Sequence, residues 1–133
     1  GQATQTRLIV DGFFDSQGND ALIALCGDFN ADHDQVAMHA IFGRVEDTGY
    51  PAHGPRVLVE CERNVPEPSR YSLLHLGKGE MLDHIVASRG LLAFFDHAEV
   101  HNEILPDESG AFHTDVKFPE SEHAPVVAEF TIN

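Results

Sequence analysis

A continuous apolar run that stops abruptly at a polar cluster is the feature that most limits how this chain can fold. The run is Ala-Leu-Ile-Ala-Leu-Cys at residues 21–26, and Gly-Asp-Phe-Asn follows it at 27–30. An uninterrupted apolar segment of this length is typical of a strand buried on both faces, which predicts a strand inside a layered domain. Rigid scaffolds often present functional side chains at the ends of such elements. Alternate residues of a strand face the same way, so Asp28 and Asn30 are expected to share one face, and we place a candidate site there.

Helices are predicted on either side of this strand. Apolar positions at helical spacing predict a helix over residues 6–14. A second helix is expected to begin after Asp34, as its N-cap, and to stop at Gly43. A short helical turn is expected at 89–92.

Strands dominate the second half of the sequence. Gly-Lys-Gly at 77–79 is interpreted as the connection of a hairpin between the apolar runs at 71–76 and 81–88. Residues 104–120 have the polar, Gly- and Pro-containing composition of a long surface loop. The inventory is α+β, and 133 residues fit one domain that spans 1–133. The remaining predicted strands are residues 56–61, 94–100 and 124–132.

The charge balance is strongly acidic, with 22 Asp and Glu residues against 8 Lys and Arg residues. Nonspecific nucleic-acid binding depends on Lys and Arg contacts with phosphate, so this segment is not expected to hold DNA tightly by itself. The balance suits cation binding or simply a hydrated surface. No stretch reaches the roughly 20 apolar residues of a membrane span. Cys26 and Cys61 form neither a disulfide framework nor a zinc signature, and Cys26 is interpreted as a small core residue.

Two further clusters carry chemical groups. Asp83 lies in the apolar run Met-Leu-Asp-His-Ile-Val, where a carboxylate needs a partner or a metal unless it faces solvent from an edge strand. His84 follows it directly and is expected on the opposite face of the sheet. Glu122 and His123 precede the final strand, where an imidazole oriented by a carboxylate can act as a general acid or base. The alternatives are a surface Glu-His pair and, at the first cluster, an Asp and an Asn that cap the next turn.

In this order, Gly-Asp-Phe-Asn-Ala-Asp, Leu-Asp-His-Ile and Ser-Glu-His-Ala-Pro-Val resemble the closing half of the endonuclease/exonuclease/phosphatase family, which includes DNase I. The resemblance covers nearly the whole chain, and the first motif is its most specific part. It implies half of a DNase I-like four-layered α/β/β/α sandwich, with a mixed, mostly antiparallel sheet and helices on one face. It also implies a metal-dependent phosphoester hydrolase, either a nuclease or a phosphatase.

The resemblance implies a role for each site residue. Asp28 would position or deprotonate the attacking water, and Asn30 would hold the scissile phosphate. Asp83 would orient His123, which would donate to the phosphate and stabilise charge in the transition state. Glu122 would help to hold a divalent metal, Mg²⁺ or Mn²⁺. The family usually has Asp where this chain has Glu122, so the position or the preference of the metal is expected to differ.

The opening half of the family pattern, with its early Asn, its metal-binding Glu and a further His or Tyr, is absent from this sequence. We therefore expect the chain by itself to be inactive or nearly so. Its expected partners are a phosphoester substrate such as a nucleic acid, and either the missing N-terminal half of the domain or a second copy of the chain. Two rival interpretations are a non-catalytic binding or scaffold module that keeps the fold, and a plain metal-binding domain.

Overall fold

A computed structural model describes residues 1–108 and 122–132. Within these ranges no helix has both the length and the apolar character needed to cross a membrane. The helices are α1 (Gln2–Gln17), α2 (Val36–Phe42), α3 (Val45–Thr48) and α4 (Arg89–Leu92). The strands are β1 (Ala24–Asp28), β2 (Leu58–Glu60), β3 (Leu73–His75), β4 (Lys78–Glu80), β5 (Asp83–Ser88), β6 (Phe95–Val100) and β7 (Val126–Phe130), and 3₁₀ turns cover Pro51–Arg56, Cys61–Asn64 and Glu67–Ser69.

A three-stranded antiparallel sheet in the order β1-β5-β2 organises the described residues. The strand β5 is central, and most of its side chains are buried. The strands β3 and β4 form a separate hairpin, and β6 pairs with β7, both in antiparallel fashion. This mixture of helices and small antiparallel sheets is the α+β class that the sequence predicts.

The central sheet is packed on both of its faces. Successive residues of a strand point to opposite faces, so Val86 and Ala87 of β5 enter different cores. Helices α1 and α2 cover the Val86 side, and the pair β6–β7 covers the Ala87 side. The helix-side core contains Val10, Phe14, Met38, Ile41, Phe42 and Leu58, and the other core contains Cys61, Val65, Met81, Leu91, Ala98, Val100 and Ala124.

The prediction that the first strand is buried on both faces was wrong. In β1 only Leu25 is half-buried, and it packs toward the helix-side core. Cys26 is exposed, so its interpretation as a core residue was also wrong. The physical reason is that β1 is an edge strand of the described sheet, hydrogen-bonded to β5 alone. The apolar run that is buried on both faces is β5 instead.

One connection also differs from the predictions. The run at 71–76 does not pair with the run at 81–88, because β3 turns back through Leu76 and Gly77 onto β4. Asp107 accepts hydrogen bonds from both turn amides, at 3.1 Å and 2.6 Å, which fixes this tighter hairpin. The rest of the predicted loop at 104–120 lies largely outside the described residues, from 109 onward.

The boundaries of the second helix are partly as predicted. Gly43 ends α2 in the left-handed conformation, with φ of 66°, as the sequence indicates. The N-cap is Gln35 rather than Asp34, and its side chain makes no capping hydrogen bond. The first helix is longer than predicted and begins at Gln2. The helical turn expected at 89–92 is α4.

Candidate active site

Asp28 and Asp83 stand opposite each other at one end of the central sheet. Asp28 is the last residue of β1 and Asp83 the first residue of β5, and the register pairs them directly. The ladder runs from Ala24 opposite Ala87 to this pair of aspartates, so it fixes their separation by backbone geometry. Two carboxylates therefore meet where the β1–β5 pair ends.

His123 joins the two aspartates from a distant part of the chain. Its Nδ1 lies 2.6 Å from Oδ2 of Asp83, and both side chains are half-buried. The hydrogen bond to Asp83 is the main cause that raises the pKa of His123 above its ordinary value. Partial burial opposes it, and the charges of Asp83, Asp28 and Glu108 raise the pKa further. A ring held in this way carries a proton closer to neutral pH than a free histidine does.

Ser72 holds the aspartate and the histidine segment together. It is fully buried, and its Oγ accepts hydrogen bonds from the backbone N–H groups of Leu82 and Asp83, at 3.0 Å and 3.2 Å. Its own carbonyl accepts from the N–H of Ala124 at 2.7 Å, directly after His123. One residue thus fixes β5 relative to the start of β7. No local feature of the sequence indicates this role, because Ser72 is an ordinary polar residue within the run at 71–76.

Asn30 lies in the turn that follows β1. Its backbone N–H donates to Oδ1 of Asp28 at 2.9 Å, and its own φ is 52°, in the left-handed region. Asn tolerates this conformation better than most residues. The expectation that Asp28 and Asn30 share one face through strand alternation is wrong, because Asn30 lies beyond the strand. The direction of the Asn30 side chain is therefore set by the conformation of the turn and not by the alternation of side chains along a strand.

Carboxylate and imidazole atoms of Asp28, Asp83 and His123 lie within 4.8 Å of one another, a grouping that can hold a cation. Glu122, the ligand that the sequence predicts, is half-buried beside His123 but does not belong to this group. Its role stays a prediction. A second grouping, formed by Asp32, His33 and Asp34, lies mostly at the exposed surface beyond the turn.

An open cavity of about 570 Å³ lies over these residues. No Lys or Arg occurs among the side chains that the described ranges contribute to its lining. A phosphate that enters this cavity therefore meets two carboxylates, and among the described residues His123 is the one hydrogen-bonded to one of them and placed to offset their charge. A divalent cation, or a basic group from another segment, is needed for an anionic substrate to bind there. The lining residues are Cys26, Gly27, Asp28, Asp83, His84, Ile85, His123, Ala124, Pro125 and Val126.

Comparisons with known proteins found no counterpart for this arrangement: no family model, no curated protein and no solved structure matches the chain. The chemistry of the site is therefore inferred from its side chains. Two carboxylates and an oriented imidazole at adjoining strand ends are able to activate a water, hold a cation and stabilise a developing negative charge.

Proposed function

We propose that this chain supplies half of the active site of a metal-dependent phosphoester hydrolase of the endonuclease/exonuclease/phosphatase type. The observation that carries the proposal is the hydrogen-bonded pair of Asp83 and His123 beside Asp28 at the sheet end. These residues come from three motifs separated along the sequence, and each motif is one on which the resemblance depends. A surface without a chemical role has no need to bring them together.

Each site residue has its own role in the proposed reaction. Asp28 positions or deprotonates a water, whose oxygen attacks phosphorus in line with the bond that breaks. Asn30 holds a non-bridging phosphate oxygen. Asp83 keeps the ring of His123 oriented through Nδ1. The other ring nitrogen, Nε2, donates a hydrogen bond to the phosphate as negative charge grows on its oxygens. The leaving group departs with the former bridging oxygen, which takes up a proton from solvent to balance the one that the attacking water loses.

A divalent cation, Mg²⁺ or Mn²⁺, belongs to this proposal. The donor set fits such a cation, because the group of Asp28, Asp83 and His123 offers two carboxylates, whose oxygens are the ligands that these hard cations prefer. We assign Glu122 as a ligand, with further ligands from the other half of the domain. When bound, the cation would neutralise charge on the phosphate oxygens. The acidic lining of the cavity supports this assignment, because an anionic phosphate needs a positive charge nearby in order to bind there.

The exposed outer side of β1 supports the view that a second half completes the domain. Ala24 and Cys26 are apolar or nearly so, yet both are exposed, and Cys26 lines the cavity over the proposed site. We propose that the missing N-terminal half of the domain, or a second copy of the chain, covers this surface. Either partner would bring further site residues next to Asp28.

The test is hydrolysis by the complete gene product of bis(p-nitrophenyl) phosphate, a phosphomonoester and plasmid DNA, with Mg²⁺, Mn²⁺ or EDTA. We expect cation-dependent cleavage that Asp28→Ala and His123→Ala each reduce by about 10²-fold or more. His101→Ala is the matched control, because this exposed histidine also contacts a carboxylate, that of Glu99, but its side chain does not line the cavity over the site. The preferred substrate separates a nuclease from a phosphatase.

Two results would overturn this proposal. If the complete gene product cleaves none of these substrates with either cation, a binding or scaffold module becomes the better assignment. If it binds divalent cations without any effect of phosphate or nucleotide on the affinity, a plain metal-binding domain is favoured instead.

A further inference from the structure

A second histidine–carboxylate pair lies buried on the opposite face of β5 from the site. Nδ1 of His84 is hydrogen-bonded to Oε1 of Glu62, and each side chain is only 1% exposed. The other carboxylate oxygen of Glu62 accepts from the backbone N–H of Ile85 at 3.3 Å. The sequence singles out Asp83 and leaves these two residues without a role.

The second nitrogen of His84 contacts the turn that carries the site residues. Its Nε2 lies 2.6 Å from the carbonyl oxygen of Ala31, the residue that follows Asn30. A carbonyl oxygen only accepts, so Nε2 carries the hydrogen. The ring also lies against Phe29, with ring centroids 5.6 Å apart. His84 therefore fastens the far side of the turn that begins at Asp28.

The near side of the same turn is fastened by the sheet. The N–H of Phe29 donates to the carbonyl of Leu82 at 2.9 Å, which extends the β1–β5 ladder one step beyond Asp28. Between this bond and the contact at Ala31, Asn30 adopts its left-handed conformation. Such a conformation persists only when its surroundings hold it. The hydrogen bonds at Phe29 and at Ala31 thus hold the turn on both sides of Asn30.

Stability alone is a weak explanation for such a pair. Removing two charged groups from water costs several kcal/mol each, and apolar residues of similar volume often replace a buried ion pair without loss of stability. The contact with Ala31 gives a better reason, because it holds the backbone of the turn after Asp28 and Asn30, at a residue whose side chain packs in the helix-side core.

We propose that Glu62 and His84 are positioning residues, which hold the turn from Asp28 to Ala31 in the conformation that presents Asp28 and Asn30 to the substrate. Glu62 orients the ring, and the ring holds the carbonyl of Ala31. The catalytic consequence rests on the proposed function, whereas the effect on the turn does not depend on it.

The variants separate positioning from stability. Glu62→Leu combined with His84→Leu replaces both partners by apolar groups, so the fold is expected to keep most of its stability while the turn loses its attachment. His84→Gln retains an N–H donor toward Ala31. Ser88→Ala is the matched control, because Ser88 makes the same kind of buried tether, to Ala21 and Ile23, at the opposite end of β5.

The measurements use the complete gene product. Amide hydrogen exchange at Phe29 and Asn30 is expected to accelerate roughly tenfold or more in the double variant, with no such change in Ser88→Ala. The kcat of phosphoester hydrolysis is expected to fall about 10²-fold in the double variant, because a small displacement of a catalytic group has an effect of that size. His84→Gln should recover part of both losses.

The outcomes distinguish this inference from the proposed function. The positioning role is overturned if exchange at Phe29 and Asn30 and the kcat of the double variant both match those of the wild type. It is also overturned if Ser88→Ala produces the same changes, since a general loss of stability then explains them. Absence of hydrolysis in the wild type overturns the proposed function, and in that case amide exchange alone decides whether Glu62 and His84 hold the turn.

Discussion

At the scale of single residues, the contact between Asp83 and His123 determines which protonation state the site can use. Nδ1 faces a carboxylate at 2.6 Å, so the imidazolium is stabilised and the ring cannot rotate freely. A neutral amide at position 83 would keep the shape but lose the charge. The consequence should appear in the chemical step rather than in folding.

We therefore expect Asp83→Asn to lower the kcat of the complete gene product by about 10²–10⁴-fold, the size of a general acid–base contribution. Its melting temperature should stay close to that of the wild type. Steady-state kinetics and thermal unfolding measure the two effects. Asp20→Asn, at an exposed position, serves as the control. An unchanged kcat in Asp83→Asn would remove the pair from the mechanism.

The raised pKa of His84 predicts that the stability of the fold depends on pH. Burial lowers its pKa, but the hydrogen bonds to Glu62 and to the carbonyl of Ala31, with the charges of Glu62 and Glu60, together raise it above the ordinary value of 6.5. A histidine whose pKa is higher in the folded state than in the unfolded state contributes its full stabilisation when the pH lies below the unfolded pKa. That stabilisation is lost as the pH rises through the folded value.

Urea unfolding from pH 5.5 upward should therefore show a stability that declines on the alkaline side of pH 6.5. The pKa of His123 is raised as well, and its effect has the same sign. The double variant Glu62→Leu with His84→Leu should show a shallower decline of stability with pH. Among the described residues, His123 is then the one histidine left with a raised pKa. An identical slope in the variant and the wild type would contradict the prediction.

At the scale of secondary-structure elements, Arg7 of α1 links the first helix to the end of the second. Its guanidinium donates to the carbonyls of Ile41 and Phe42 at 3.0 Å and 3.3 Å, and to that of Arg56 at 2.8 Å. It passes so close to Gly43 that a Cβ there would lie 2.7 Å from its central carbon. Gly43 thus ends the helix and leaves room for this arginine.

Gly43→Ala should lower the free energy of unfolding by about 1–3 kcal/mol, through the left-handed conformation and the collision with Arg7. Chemical denaturation measures it. Gly12→Ala is the matched control, because a Cβ at this position in α1 meets nothing within 4 Å. It should raise stability by about 0.4–1 kcal/mol. Equal effects at both positions would show that Arg7 does not pack against Gly43 as described.

At the scale of the whole molecule, the side of β1 that bears Cys26 marks the surface that a second half would cover. Cys26 is exposed next to the candidate site, whereas Cys61 is buried. Burial, followed by the charge of Glu62, raises the pKa of Cys61 to about 12 and so suppresses its thiolate. The reactivity of the Cys26 thiol therefore measures the exposure of this surface, and that of the Cys61 thiol measures the exposure of the core.

We expect N-ethylmaleimide to label Cys26 in this chain alone and to label it at least ~10-fold more slowly in the complete gene product, where the opposing half would exclude the reagent. Cys61 should stay protected in both until the protein is unfolded. Peptide mass spectrometry measures the two rates. Equal and rapid labelling of Cys26 in both samples would mean that nothing covers this face, whereas equal and slow labelling would favour a second copy of the chain as the cover.

The sequence by itself determined the α+β class and the helix stop at Gly43, and it indicated which residues are candidates for a site. These follow from local causes: side-chain periodicity, the conformational freedom of glycine, and the cost of placing a carboxylate in an apolar run. Asp28, Asp83 and His123 were identified in this way. The pairing of Asp83 with His123 followed only from the resemblance to a family.

Only the tertiary structure decided which strand is central and which side chains support the site. The apolar runs of β1 and β5 look alike, and burial depends on neighbours that are distant in sequence. His123 reaches Asp83 across 40 residues, and Ala31 reaches His84 across 53. Local patterns carry no information about such contacts, since each residue's partner is selected when the sheets and helices pack together.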